Sequence, residues 1–196
     1  MYTLSGSPFH RDEEGTSPTR TVMLDINSGS THTKRLGKEG RVFDKRGTEI
    51  RLFPGARSAL VELVTDESWK GTQVAFASRT DKPRWARDCL ELFEITGGLT
   101  MAEAAAFSEI GGGDGPEGCK TRHFSKIQKA SGIAFSDMIF FDDGMYNCRD
   151  VNPLGVLCVC VPDGVTTQAW DKGVQAFAEW RASAAADTDS APLLSA

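Results

Sequence analysis

Two carboxylates stand side by side at the end of an apolar run, Met138-Ile139-Phe140-Phe141-Asp142-Asp143. Adjacent acids repel unless a cation joins them. A hard divalent ion such as Mg²⁺, which takes oxygen ligands and keeps part of its water shell, suits the pair. A second apolar run, Val74-Ala75-Phe76-Ala77, leads into Ser78-Arg79-Thr80-Asp81, and a third, Val22-Met23-Leu24, ends in Asp25. Lys120 stands just ahead of the helical stretch that precedes the Met138 run. Together these are the parts that phosphoryl transfer requires. A carboxylate can attack phosphorus, a hydroxyl, Arg79 or backbone N–H groups can hold the phosphate oxygens, and a lysine and a divalent ion can spread the developing charge. Taken singly, each has a plainer role: Ser78 caps a helix, Lys120 is a surface lysine, Arg79 pairs with Asp81, Asp25 is a loop acid, and the acid pair starts a turn at Gly144.

The elements that must position these groups follow from the pattern of the chain. The runs at 21–25, 72–78, 104–110, 138–142 and 156–161 read as strands, several of them continuous enough to be buried on both faces of a parallel sheet. Between them lie helical patterns over 56–64, from Pro83 to about Phe93, over 123–130 up to Gly132, and over 166–181. In the Pro83 helix, Trp85, Cys89, Leu92 and Phe93 form the expected inward stripe. His32 to Gly47 reads as a loop or exposed hairpin, and Gly111 to Pro116 as a flexible loop. Strands alternating with helices predict an α/β domain with a mainly parallel sheet. In such a sheet the carboxyl ends of the strands form the ligand-binding edge, and Asp25, Ser78, Arg79, Asp142 and Asp143 all fall at strand ends.

Composition bounds the rest. The chain has 196 residues, is 40% hydrophobic and 25% charged, and carries a formal net charge of −5. That is one globular domain with a real core, expected over 1–182 with a disordered Ala/Ser/Asp tail over 183–196. The acidic balance, with no basic block, argues against nucleic acid as the main partner. No apolar run is long enough to span a bilayer, and Met1 to Gly15 lacks the apolar core of a signal peptide. The cysteines at 89, 119, 148, 158 and 160 make no C-x-x-C pair, which predicts free thiols in a reducing compartment and no zinc site.

Ordered along the chain, these pieces resemble the haloacid dehalogenase superfamily and, within it, the magnesium-dependent phosphatase-1 family. The resemblance is carried by Asp44-Lys45-Arg46-Gly47, Ala77-Ser78-Arg79-Thr80, Leu90-Glu91-Leu92-Phe93, Cys119 to Phe124, Phe135 to Asn147, Leu154-Gly155-Val156 and Asp163-Gly164. It covers most of the chain from Arg41 to about Phe177. It implies a three-layer Rossmann-like fold with a minimal cap, and Mg²⁺-dependent hydrolysis of phosphate monoesters through an aspartyl-phosphate. Small phosphate esters, phosphotyrosine-type or sugar phosphate, would be the substrates, with the chain acting as a cytoplasmic monomer. By the same resemblance Ser78 is the hydroxyl that binds the phosphoryl group, with Arg79 beside it. Lys120 is the lysine of the third motif, Asp143 a Mg²⁺ ligand supported by Asp142, and Asn147 orients the site.

The first motif departs from the family. There an apolar strand ends in D-x-D-x-T, the first Asp being the nucleophile and the second the acid/base. On one reading Asp25-Ile26-Asn27-Ser28-Gly29 is that motif altered, with Asp25 as nucleophile and Asn27 in the acid/base place. On the other, Met1 to Phe9 resembles the segment just after the motif, so the nucleophile strand lies upstream of Met1 and residues 16–40 are an insertion. A rival of another class follows from this departure: a catalytically impaired domain that binds phosphate or a partner.

Overall fold

The structure is a computed structural model, and its described residues are 21–24, 35–36, 41–43, 47–112, 119–184 and 191–196. Six strands form the main sheet: β1 (Thr21–Leu24), β5 (Gln73–Ser78), β8 (Ala105–Ile110), β9 (Met138–Asp142), β10 (Leu157–Cys160) and β11 (Leu193–Ser195). Their spatial order is β11-β10-β9-β1-β5-β8, and every pairing is parallel. Before β5 come three short strands, β2 (Arg35–Leu36), β3 (Val42–Phe43) and β4 (Glu49–Ile50), which pair antiparallel as a separate small sheet. Inserted between β1 and the first long helix, this sheet is the minimal cap. A hairpin, β6 (Glu94–Thr96) and β7 (Leu99–Thr100), follows the second helix.

Alternation along the strands sorts the core into two layers. Phe76, Ile139, Phe141, Leu157 and Val159 face α1 (Pro54–Thr65), α2 (Pro83–Leu92) and α6 (Thr167–Ala184), burying Leu60, Leu90, Trp170 and Phe177. Ala75, Ala77, Met138, Phe140, Cys158 and Cys160 face α4 (Lys120–Ser131) and α5 (Met145–Val151), burying Phe124, Ile127 and Cys148. A four-residue helix, α3 (Met101–Ala104), leads into β8 and is started by a reciprocal Thr100–Glu103 capping box. α4 stops at Gly132, whose φ of 72° is the left-handed conformation that glycine adopts at little cost. No helix of the described residues is long and apolar enough to cross a membrane.

Two sequence expectations are corrected. In α2 the buried residues are Ala86, Cys89 and Leu90, whereas Trp85 is only half-buried under the Lys82 ammonium. Leu92 and Phe93, also expected in the inward stripe, are likewise only partly buried. The tail differs as well. Residues 185–190 lie outside the described residues, but Leu193–Ser195 adds a parallel edge strand to β10, and α6 runs on to Ala184. The docking uses backbone pairing to β10, Ala191 and Leu194 packed against the core, the Lys172 ammonium donating to Ser195 O at 2.9 Å, and Asn152. The Asn152 amide Nδ2 lies 2.8 Å from Ala191 O, 3.1 Å from Pro192 O and 3.2 Å from Val156 O.

Replacing Asn152 by Ala is therefore expected to lower stability by about 1–3 kcal/mol, since up to three carbonyls lose a donor. Amide exchange at 193–195 should quicken far more than exchange in β9. Unchanged exchange at 193–195 would show that Asn152 does not latch the tail.

Candidate active site

Lys120 starts α4, and its side chain runs inward with only 1% of the residue exposed. A buried ammonium is stable only if it is paired and hydrogen-bonded. Its Nζ donates to Ala77 O at 2.6 Å, at the end of β5, and lies 2.9 Å from Asp142 Oδ2, at the end of β9. Register puts Leu24 of β1 level with Phe76 and with Phe141. Ala77 and Asp142 thus lie one residue beyond the level of Leu24. Asp25 is the next residue in the sequence, and it lies outside the described residues, as does Asn27.

Asp142 is held from its other side. Its Oδ1 accepts from Gly144 N at 2.8 Å and from Asn147 Nδ2 at 2.8 Å. Its Oδ2 meets Lys120 as a charge pair without accepting a hydrogen bond. Asn147 in turn accepts from Arg79 Nη1 at 3.3 Å, and the Arg79 guanidinium lies 5.6 Å from the centre of the Tyr146 ring. Asp143 is half-buried and, with Asp142, lines a cavity of about 220 Å³. Leu52, Phe53, Phe93 and Val161 form part of its apolar wall. The Asp143 carbonyl receives the Cys160 thiol at 3.8 Å. Ser78 is buried at the end of β5, and its carbonyl accepts from Gly111 N, just past the end of β8, at 3.0 Å.

Ser78, Arg79, Lys120, Asp142, Asp143 and Asn147 therefore share the carboxyl edge of the sheet. Among the described residues no three His, Cys, Asp or Glu side chains gather as a metal cage. The resemblance sets Asp143 apart, with Asp142 in support; in the structure Asp142 ends β9 and meets Lys120 and Asn147, and both acids line the cavity. Tyr146 was missed, because an aromatic just after a turn has no periodicity to mark it.

The chain matches the family described as Acid Phosphatase over residues 1–180. It belongs to that family. Magnesium-dependent phosphatase 1 of Homo sapiens is 35% identical over 141 residues, covering 72% of each chain. A Schizosaccharomyces pombe protein described as HAD-like hydrolase superfamily protein P8B7.31 is 33% identical over 135 residues, 69% of this chain and 74% of its own. Among solved structures, D,D-heptose 1.7-bisphosphate phosphatase from B. bronchiseptica, complexed with magnesium and phosphate, superposes with a TM-score of 0.48 at 13% identity, over 84% of this chain and 99% of that one. The chain is thus an acid phosphatase family member of the haloacid dehalogenase superfamily, as its motifs implied.

Behind the site of this family member, His123 of α4 is buried with 2% of the residue exposed, and its Nδ1 has no hydrogen-bond partner. Burial first, and then the nearby Lys120 charge, lower its pKa to about 4. In the unfolded chain it takes up a proton near 6.5, its ordinary value. The unfolded state thus binds the extra proton first as pH falls, and stability is lost between about 6.5 and about 4. Denaturant titrations of His123→Gln should show a shallower decline across this window than the parent chain. Parallel curves would remove His123 as a source of acid sensitivity.

Proposed function

We propose that this chain hydrolyses phosphate monoesters with Mg²⁺ bound at Asp143, and that Asp25 is the nucleophile. The observation that carries the reading is the Lys120 ammonium bridging the ends of β5 and β9, one residue beyond the end of β1. A carboxylate at that level would meet a fixed positive charge, which favours its anionic form and neutralises an incoming phosphate. Ser78 and the backbone N–H groups beyond β5 supply donors to the phosphate oxygens. Asp142 acts through Lys120 and Asn147 as a positioning residue. Mg²⁺ fits the donor set, because it binds through one or two carboxylates plus phosphate and keeps its remaining waters. It would supply charge neutralisation at the transferred phosphoryl group.

In the first step the Asp25 carboxylate oxygen attacks phosphorus, the ester P–O bond breaks and the leaving oxygen takes a proton. Water then attacks the acyl phosphate, releasing inorganic phosphate and restoring the carboxylate. Asn27 stands where the family has an acid, and an amide gives up no proton near neutral pH. The leaving group must then be protonated by water, which forfeits general-acid help worth about 10²- to 10⁴-fold. The open edge and small cap suit phosphotyrosine-type esters and sugar phosphates alike. Five free thiols fit a reducing compartment such as the cytoplasm.

The position of β1 between β5 and β9 supports Asp25 over a nucleophile ahead of Met1, because that alternative needs another strand in the same place. With p-nitrophenyl phosphate and Mg²⁺, turnover is expected to be slow. Asn27→Asp should raise it, while Asp25→Asn should abolish it and Lys120→Met cut it at least about 10²-fold. Indifference to both first-motif changes would move the nucleophile out of this chain. Phosphate binding without turnover in every variant would favour the impaired binding domain.

The metal is tested separately. Calorimetry should give weak Mg²⁺ binding to the parent chain and a markedly weaker isotherm for Asp143→Asn. Identical isotherms would remove Asp143 as the ligand.

A further inference from the structure

A second cavity, of about 530 Å³, opens beside the small antiparallel sheet, and Arg41, Arg51 and Arg57 all line it. Arg41 stands just before β3, Arg51 just after β4 and Arg57 in the first turn of α1. Phe93 and Glu94, where α2 passes into β6, close another side. Cations brought together from three elements repel one another. Local partners answer only part of that charge. Arg51 Nη2 pairs with Glu49 Oε2 at 2.5 Å. Arg57 gives Nε and Nη2 to the Ile95 carbonyl at 3.4 and 3.3 Å, which aims its guanidinium and leaves the Nη1 hydrogens unused among the described residues. The Arg41 guanidinium lies with its carbon 5.5 Å from the centre of the Phe43 ring, a contact that leaves the N–H edge open. Among the described residues Arg41 and Arg57 form no ion pair.

The two carboxylates in the wall are already engaged. Arg51 first, and Arg41 to a smaller degree, hold the Glu49 carboxyl below its ordinary value. Glu94 Oε1 accepts from Gly98 N at 2.9 Å, which turns it to the β6–β7 hairpin. The start of α1 adds to the unmet charge. It has no acid in its first turn and no side-chain cap, and Arg57 adds a cation where the helix dipole is already positive. The cavity also adjoins the phosphate edge. Ile50, Arg51, Leu52 and Phe93 line both this cavity and the one that holds Asp142 and Asp143. With Val42 they give the passage an apolar floor.

We infer that the arginine cavity is a subsite for a second anionic group of the substrate, a carboxylate or phosphate carried by the alcohol part of the ester. This rests on the phosphatase reading above and names a substrate class for it, the esters of acidic alcohols. Guanidinium forks match the paired oxygens of either anion, and ionised partners make the stronger hydrogen bonds. An uncharged alcohol would gain little from Arg41 and Arg57. Neither of these two lines the cavity of Asp143, so both are specificity-determining residues.

Alkylphosphonates ending in a carboxylate, in a series of increasing chain length, test the inference without turnover, each against its terminal carboxamide. Binding to the full chain in Mg²⁺ is followed by calorimetry, with methylphosphonate reporting on the phosphate site alone. At a matching chain length the carboxylate should bind about tenfold more tightly than its amide. That preference should shrink as salt is raised. Arg41→Gln and Arg57→Gln should each bring the ratio down several-fold while leaving methylphosphonate affinity within about twofold. A second phosphonate in place of the carboxylate separates the two anions: tighter binding supports a phosphate subsite, weaker binding a carboxylate subsite. Equal binding of carboxylate and amide at every chain length, or a ratio unmoved by both glutamine variants, would overturn the subsite while leaving the phosphate site standing. Failure of the parent chain to bind methylphosphonate or any member of the series would overturn the phosphatase reading, and the subsite with it.

Discussion

Everything at the carboxyl edge depends on keeping the Lys120 ammonium charged out of water. Among the described residues its Nζ is held by the Ala77 carbonyl and the Asp142 carboxylate, on strands that are not neighbours. Both distances can be short only while β5 and β9 hold their register on either side of β1. Removing one partner would leave an uncompensated buried charge, and such losses cost about 3–5 kcal/mol. The pair is thus a constraint on the sheet as much as a functional group. It ties the first residue of α4 to two strand ends and fixes where a phosphate could meet positive charge.

The same constraint sets the two adjacent acids apart. Both acids line the cavity, and Asp142 is also paired with the buried lysine. Asp142 takes the inward place, and its second oxygen is occupied by the Gly144 amide and the Asn147 side chain. Asp143 takes the outward place beside the apolar cavity. From Asn147 the network continues to Arg79 and on to the Tyr146 ring, so the buried pair and the exposed rim are mechanically joined. Movement of the rim would be felt at Asp142 through no more than two side chains.

Much of this was legible in the sequence where a residue's role follows from its place on an element. The apolar runs marked four strands of the main sheet closely and the fifth, β1, to within a residue of its end. Their terminal residues Ser78 and Asp142 fall at the predicted edge. Lys120 was legible as a site residue only through its resemblance to known motifs, since nothing in its neighbours announces a buried lysine. Roles set by tertiary contact were not legible. Trp85 looked like core, yet the buried residues of α2 are Ala86, Cys89 and Leu90. The β11 strand escaped notice because its composition is that of a loose tail and its anchor, Asn152, lies about 40 residues away.

The first motif is where sequence and geometry meet most directly. A parallel sheet cannot leave a gap between β5 and β9, because each would expose a row of unpaired backbone groups to the interior. Some strand must fill that place, and here it is Thr21–Leu24, bonded on both sides in matching register. The place then dictates the chemistry. Whichever strand occupies it, the level one residue beyond Leu24 is the level at which Lys120 is held by Ala77 and Asp142. On the reading proposed above, an altered motif would lose its acid/base residue while the packing of the two strands beside it preserves the position beyond Leu24.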